Sequence, residues 1–209
     1  MLYLSIICLV TGCASSRILV SAEKYNFPLA HRKIMIVGAI KDNDDSLRLH
    51  VERRIAADLD QLGYNAISAL DEFGHDGLSN LGQEATYLKL CSQGIDAVIV
   101  ITIIDNSKDT QFRTQKSYAY PDNYYYDRIW NYRKIQADLS TTDRNGSHQY
   151  FWEAILFNLA TLEAECTIQS PNFTTTNGSN SIPFEQLLVK KMLREKILKK
   201  QKTQDLKAF

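Results

Sequence analysis

The run Asp96-Ala97-Val98-Ile99-Val100-Ile101-Thr102-Ile103-Ile104 constrains this 209-residue chain more than any other stretch. It is almost wholly apolar and rich in β-branched side chains, the pattern of a strand covered on both faces. Lys33-Ile34-Met35-Ile36-Val37-Gly38-Ala39-Ile40 reads the same way. Strands of this kind sit inside a sheet with helices on it, and the intervening sequence supplies them. Ser46 is a suitable N-cap. Leu47, Val51, Ile55, Leu59 and Leu62 recur at helical spacing, with Arg48, Glu52, Arg53, Asp58 and Asp60 on other faces, and Gly63 closes the helix. Tyr64 to Leu70 reads as a strand, Asp71 to Asn80 as a Gly-rich turn, and Leu81 to Ser92 as a helix closed by Gly94. The first half is β-α-β-α-β, which implies parallel strands and right-handed crossovers.

The second half changes character. Ile135, Ala137 and Leu139 alternate with polar residues, as in a strand with one wet face. Asn145-Gly146 is a hairpin signal. Tyr150 to Leu159 reads as a strand, with a helix as its rival because Phe151, Ile155, Leu159 and Leu162 also fit helical spacing. Ala164, Cys166 and Ile168 alternate with polar residues as a further strand, and Phe184 to about Lys200 forms a final helix with Phe184, Leu187, Leu188, Met192 and Leu193 available for docking. The expected fold class is α/β (α+β): a mixed sheet in which β-α-β-α-β is followed by an antiparallel meander and a C-terminal helix.

Lys plus Arg equals Asp plus Glu, 24 each, so no bulk field draws the protein onto nucleic acid. Charge is uneven, however, and Lys190 to Lys207 is strongly basic. That end is a solvated terminus, or it grazes anionic lipid. Cys91 and Cys166 read as small buried hydrophobes, with a disulfide between them as the alternative. No C-x-x-C occurs, which leaves redox and structural zinc roles unsupported. The sequons at Asn145, Asn172 and Asn177 read as polar loop composition.

Val10-Thr11-Gly12-Cys13, after the apolar run Leu2–Val10 and before Ala14-Ser15-Ser16, resembles a bacterial lipoprotein signal with its lipobox. The resemblance implies removal of residues 1–12 and acylation of Cys13. Met1 to Gly12 carries no charged side chain, so the signal is expected to begin further upstream. Residues 13–31 are then the lipidated Cys and a tether, 32–200 a single domain, and 201–209 a basic tail. From Arg32 to Lys200 the element order is similar to small Gram-negative envelope lipoproteins of unknown function. It is also similar to the α/β domain of the curli-secretion lipoprotein, the lipoprotein activators of penicillin-binding proteins and the Tol–Pal translocation protein's N-terminal domain. No functional residue carries over from an order of elements.

Candidate chemistry is sparse. Asp42-Asn43-Asp44-Asp45 follows the first strand, where α/β proteins place ligands. As a calcium loop it has Leu47 and Arg53 where Gly and Glu belong, and as a phosphate cradle it is too acidic and lacks the glycines. Its carboxylates suit a helix N-terminus. His31, His50, His75 and His148 have no metal spacing, and His75 reads as part of a turn. The segment 116–132 invites a binding role. Tyr118, Tyr120, Tyr124, Tyr125, Tyr126, Trp130 and Tyr132 crowd it, interleaved with Asp122, Asp127, Arg128 and Asn131. Such side chains offer large amphipathic contact area to a protein or a glycan; the bland reading is a hairpin packed on its own body, or a loop. The expectation is a lipid-anchored lipoprotein of the bacterial envelope, at the outer membrane facing the periplasm. It binds or assembles without catalysing, needs no cofactor or metal, and contacts the membrane through its acyl anchor with an envelope protein or glycan as partner. The alternatives are a cell-wall-directed hydrolase and a structural subunit of a larger lipoprotein complex.

Overall fold

The computed structural model describes residues 19–22, 31–40, 45–75, 77–78, 81–105, 150–173 and 184–201. In chain order the elements are β1 (Leu19–Ala22), β2 (Lys33–Ala39), α1 (Ser46–Asp60), β3 (Asn65–Ser68), α2 (Ala69–Phe73), α3 (Gln83–Ser92), β4 (Ala97–Asp105), β5 (Tyr150–Asn158), β6 (Glu163–Gln169) and α4 (Phe184–Arg194). The six strands form one sheet in the order β1-β6-β5-β4-β2-β3. β2 pairs in parallel with both β3 and β4, while β4, β5, β6 and β1 pair antiparallel in turn.

The apolar runs behave as two-faced strands must. Ile34, Ile36, Ala97, Ile99, Ile101, Ile103, Ala154, Leu156, Cys166 and Ile168 face α1 and α4. Met35, Val37, Ala39, Val98, Val100, Ile155 and Phe157 face the opposite side, against Ala69, Leu90 and Ile95. The helices take opposite faces because the chain reverses direction across the sheet. It moves outward from β2 to β3 and then back past β2 to β4, and same-handed crossovers must then lie on opposite sides. Burying each such aliphatic side chain is worth ~1.5–3 kcal/mol, so β4, apolar on both faces, is the centre of the core.

Tyr150 to Asn158 is a strand, not a helix. Its register with β4 runs from Ala97↔Asn158 to Asp105↔Tyr150 without a break. β6 carries a bulge: Cys166 faces Leu156 but Ala164 faces Phe157, which leaves Glu165 as an extra residue. Phe184, Leu188 and Met192 dock α4 on the sheet as expected, with Leu193 partly buried. The helix ends at Arg194, short of Lys200.

Several expectations change. The stretch read as a tether contains a strand: Leu19–Ala22 pairs with Gln169–Cys166 at the sheet edge. Short polar-apolar β1 has no periodicity of its own, and backbone pairing to β6 specifies it. The second parallel strand stops at Ser68, and Ala69–Phe73 turns into a short helix whose N-cap Ser68 accepts from the Asp71 N–H. α1 has Asp45, not Ser46, at its N-cap, in a left-handed conformation and without a side-chain cap. Arg48 and Glu52, expected on faces other than the apolar stripe, are nonetheless buried, at 8% and 0% exposed. Cys91 is exposed rather than buried, while Cys166 is buried, and both are free thiols. They lie on opposite faces of the sheet, so they cannot pair. The expected strand at Ile135–Leu139 and the Asn145-Gly146 turn lie outside the described residues. No helix among the described residues is long and apolar enough to cross a membrane.

Candidate functional site

In an open α/β sheet a ligand crevice forms beyond the carboxyl ends of parallel strands, where successive crossovers diverge. Here that point lies past the ends of β2 and β4. The polar groups brought to it come from sequence stretches far apart. Glu52 reaches in from α1 and is wholly buried. One of its oxygens accepts the Gly38 N–H at 2.7 Å and the Arg48 Nε–H at 3.0 Å. The other accepts the Ser68 hydroxyl at 2.6 Å and the Leu70 N–H at 2.8 Å. A carboxylate has about four acceptor positions, and four donors fill them. Glu52 therefore has no acceptor position left for a metal or a substrate donor. It ties α1 to the ends of β2 and β3.

Gly38 makes the arrangement sterically possible. A Cβ there would lie 2.8 Å from Arg48 Cγ and 3.2 Å from Glu52 Oε1.

Outside this buried hub the side chains are wetter. Asp45 lies 3.8 Å from Arg48 and directly contacts His75 Nδ1. The left-handed Asp45 turn explains the missing cap, because the carboxylate points to Arg48 and His75 rather than to its own helix. Arg53 and Asp71 form a two-point pair at 2.8 and 2.6 Å. The hydrogen bond from Arg53 holds the Asp71 carboxyl below the usual range, and Asp71 pushes the guanidinium up. On the other face Thr102 is 5% exposed, and its hydroxyl has no hydrogen-bond partner. Glu153, its register partner, accepts the Gln169 amide at 2.7 Å.

A second polar group closes the opposite end of the sheet. His31 is 5% exposed, and its Nε2 is 2.7 Å from Glu165 Oε2. Asn158 Nδ2–H donates to the other Glu165 oxygen at 3.0 Å. Asp96 stands 4.0 Å from His31 Nδ1 and accepts the N–H groups of Arg32 and Lys33. The β6 bulge aims Glu165 at His31, as bulges commonly re-aim a side chain. Among the described residues no group of three or more His, Cys, Asp and Glu side chains could hold a metal.

Both residue sets singled out from the sequence, Cys13 and the seven aromatics from Tyr118 to Tyr132, lie outside the described residues. What the structure does fix is where the aromatic-rich segment is rooted. Asp105 and Tyr150 are register partners on the last rung of β4 and β5, so the intervening chain leaves and re-enters side by side. That rung is at the carboxyl-end pole. Tyr150 also exchanges two backbone hydrogen bonds with Phe173, at 2.8 and 2.7 Å. The Phe173 ring lies 6.0 Å from Tyr150 and 6.4 Å from Trp152, and Trp152 stacks on Phe184 at 6.0 Å. Sequence reading missed the pairings of Asp45 with His75 and of Glu52 with Ser68, because each partner was weighed alone in its own turn or helix.

No family model matches the chain. No curated protein matches it either. Among solved structures, the PelC dodecamer from Paraburkholderia phytofirmans is similar at 9% identity over 76% of this chain and 81% of that one, with a TM-score of 0.36. Lipoprotein GNA1162 from Neisseria meningitidis is similar at 14% identity over 78% of this chain and 96% of that one, also with a TM-score of 0.36. One of the two is a bacterial lipoprotein, in line with the broader resemblance, and neither is the curli-secretion lipoprotein, a penicillin-binding-protein activator or the Tol–Pal translocation protein.

Proposed function

We propose that this chain is a lipid-anchored protein of the bacterial envelope whose α/β body serves binding or assembly rather than catalysis. The observation that carries the reading is the spacing between Val10-Thr11-Gly12-Cys13 and β1. The first sheet-bonded residue, Leu19, follows Cys13 by six positions. Six residues reach at most ~20 Å. An acyl chain on Cys13 would therefore hold the sheet edge beside the bilayer instead of on a long leash. The saturation of Glu52 by four donors of its own chain supports a structural part for the most buried carboxylate. The seven aromatics of the 116–132 segment, rooted at one pole of the body, are the candidate contact surface for an envelope protein or glycan.

Labelled palmitate tests the anchor. It should enter the wild-type chain and not Cys13→Ser, and equal incorporation into both would overturn the reading. Crosslinked pull-downs from envelopes, with segment 116–132 present or replaced, test the binding role. Retention of every partner after replacement would remove that segment as the contact surface. Release of soluble fragments from cell-wall material by the purified protein would turn the reading towards a hydrolase.

A further inference from the structure

We propose that the protein stands on its membrane by the carboxyl-end pole of the sheet, with the basic Lys196–Lys200 end held away from the lipid. The proposal rests on acylation of Cys13. It follows from strand direction. Leu19 pairs with Gln169, Gln169 with Glu153, and Glu153 with Thr102. The chain thus enters the sheet on the rung of Thr102, near the end where β2 and β4 finish. From there β1 runs towards the opposite pole, and β2 returns.

The basic end sits at that opposite pole. α4 begins with Phe184 stacked on Trp152 at the entry pole and runs away from it. Past the helix, Lys199 N–H donates to the Tyr64 hydroxyl at 3.1 Å, the hydroxyl donates to Lys199 O at 2.8 Å, and Gln201 N–H donates to Leu62 O. These bonds fix Lys196, Lys199 and Lys200 beside the start of β3. From the Thr102 rung, where Leu19 enters, to the level of Tyr64, one residue before the Asn65↔Lys33 pair, is about seven residues, roughly 23 Å. A fully extended leash of ~20 Å falls just short of that distance, so the basic end does not meet the bilayer head-on while Cys13 is embedded.

The entry pole has the side chains for a lipid interface. Trp152 and Phe173 are half-buried there, stacked on each other, with Trp152 also stacked on Phe184 and Phe173 tilted against Tyr150. Aromatics with one apolar and one wet side suit the headgroup layer. The attraction of lysines to anionic lipid, read from sequence alone for the C-terminal end, is opposed by this geometry. Lys196, Lys199 and Lys200, all exposed, instead lie at the pole away from the anchor.

Depth-dependent quenching tests the orientation. The acylated full chain, carrying Cys91→Ser to remove the exposed thiol, is reconstituted into phosphatidylethanolamine–phosphatidylglycerol vesicles containing nitroxide-labelled lipid. Cys166 stays silent because burial pushes its thiol up to about 12. A fluorophore is placed at Asn172→Cys or Ser46→Cys, at the entry pole, or at Lys200→Cys, at the far pole. The two entry-pole labels should be quenched several-fold more than the far one. Equal quenching, or stronger quenching at position 200, would overturn the orientation while leaving the anchor intact. Failure of the Cys91→Ser protein to float with the vesicles at all would overturn the anchor, and the orientation with it.

Discussion

The Glu52 carboxylate accepts the Gly38 amide at 2.7 Å inside a pocket that solvent does not reach. Helix α1 and strand β2 are thereby joined by a charge-assisted bond, not by apolar packing alone. Removing one partner of a buried ion pair costs ~3–5 kcal/mol, because the other charge is stranded. Glu52→Ala should lose that much in urea melts, since it strands Arg48 and three further donors. Gly38→Ala should lose ~1–3 kcal/mol, the usual cost of forcing atoms into a packed interior. A Glu52→Ala loss below that of Gly38→Ala would show that the hub contributes little.

This hub also marks where the sequence stops being legible. The strands and helices that carry apolar periodicity, such as Lys33–Ala39, Ala97–Asp105 and Phe184–Arg194, are readable because burial selects local side-chain type. Glu52 is not, since a glutamate on a helix reads as solvated unless its donors are known, and three of its four donors lie 14, 16 and 18 residues away. β1 is equally silent, because its pairing partner is over 140 positions further along. His31 falls in a stretch without pattern and finds Glu165 at a separation of 134 residues. Cys91 departs from expectation for a simpler reason. It lies one position beyond Leu90, which is 1% exposed, and one step around a helix turns a side chain from core to solvent.

The two cysteines should differ sharply in reactivity. Cys166 is buried and desolvation pushes its thiol to about 12, so almost no thiolate forms at neutral pH. Cys91 is exposed on α3. Iodoacetamide at pH 8, followed by peptide mapping, should modify Cys91 within minutes and Cys166 only after unfolding. Comparable modification of both in the native protein would mean that the Leu156–Cys166 region opens readily.

Arg53 and Asp71 give a small, signed pH effect. The Asp71 carboxyl is depressed by its hydrogen bonds from Arg53, so its contribution is present above the unfolded carboxyl pKa and is lost as pH falls through the folded value. That window lies below about pH 4, the ordinary carboxylate value. The pair is exposed, and exposed pairs are weak and screened by salt. Asp71→Asn should melt slightly earlier than wild type at pH 6 in low salt. The difference should shrink in strong salt and below pH 4. A gap that persists in both conditions would point to lost Ser68 capping geometry instead.

Val100 and Ile101 are neighbours whose side chains enter opposite cores, at 3% and 0% exposure. Truncating a buried aliphatic to Ala costs ~2–5 kcal/mol for Ile, with less for the smaller Val. Both Val100→Ala and Ile101→Ala should therefore lower the urea midpoint clearly. A neutral Val100→Ala would mean that the sheet face bearing Val98, Ile155 and Phe157 is not packed.

The last prediction concerns the aromatic-rich segment. Asp105 and Tyr150 face each other across β4 and β5, so the ends of the chain between them are held together by the ladder itself. From the sequence alone, Pro121-Asp122-Asn123 and the interleaved charges lead to the expectation that residues 116–132 project from the body rather than fill it. Loop-closure entropy changes by only ~0.6 kcal/mol per doubling of length. Replacing 116–132 with a short Gly/Ser link should thus leave most of the thermal stability in place while abolishing partner or glycan capture. If the replaced protein unfolds globally, Tyr118 to Tyr132 are core residues and cannot be a free binding surface. If it stays folded and keeps its partners, contact is made elsewhere, and the exposed faces of α1 and α3 become the next surfaces to vary.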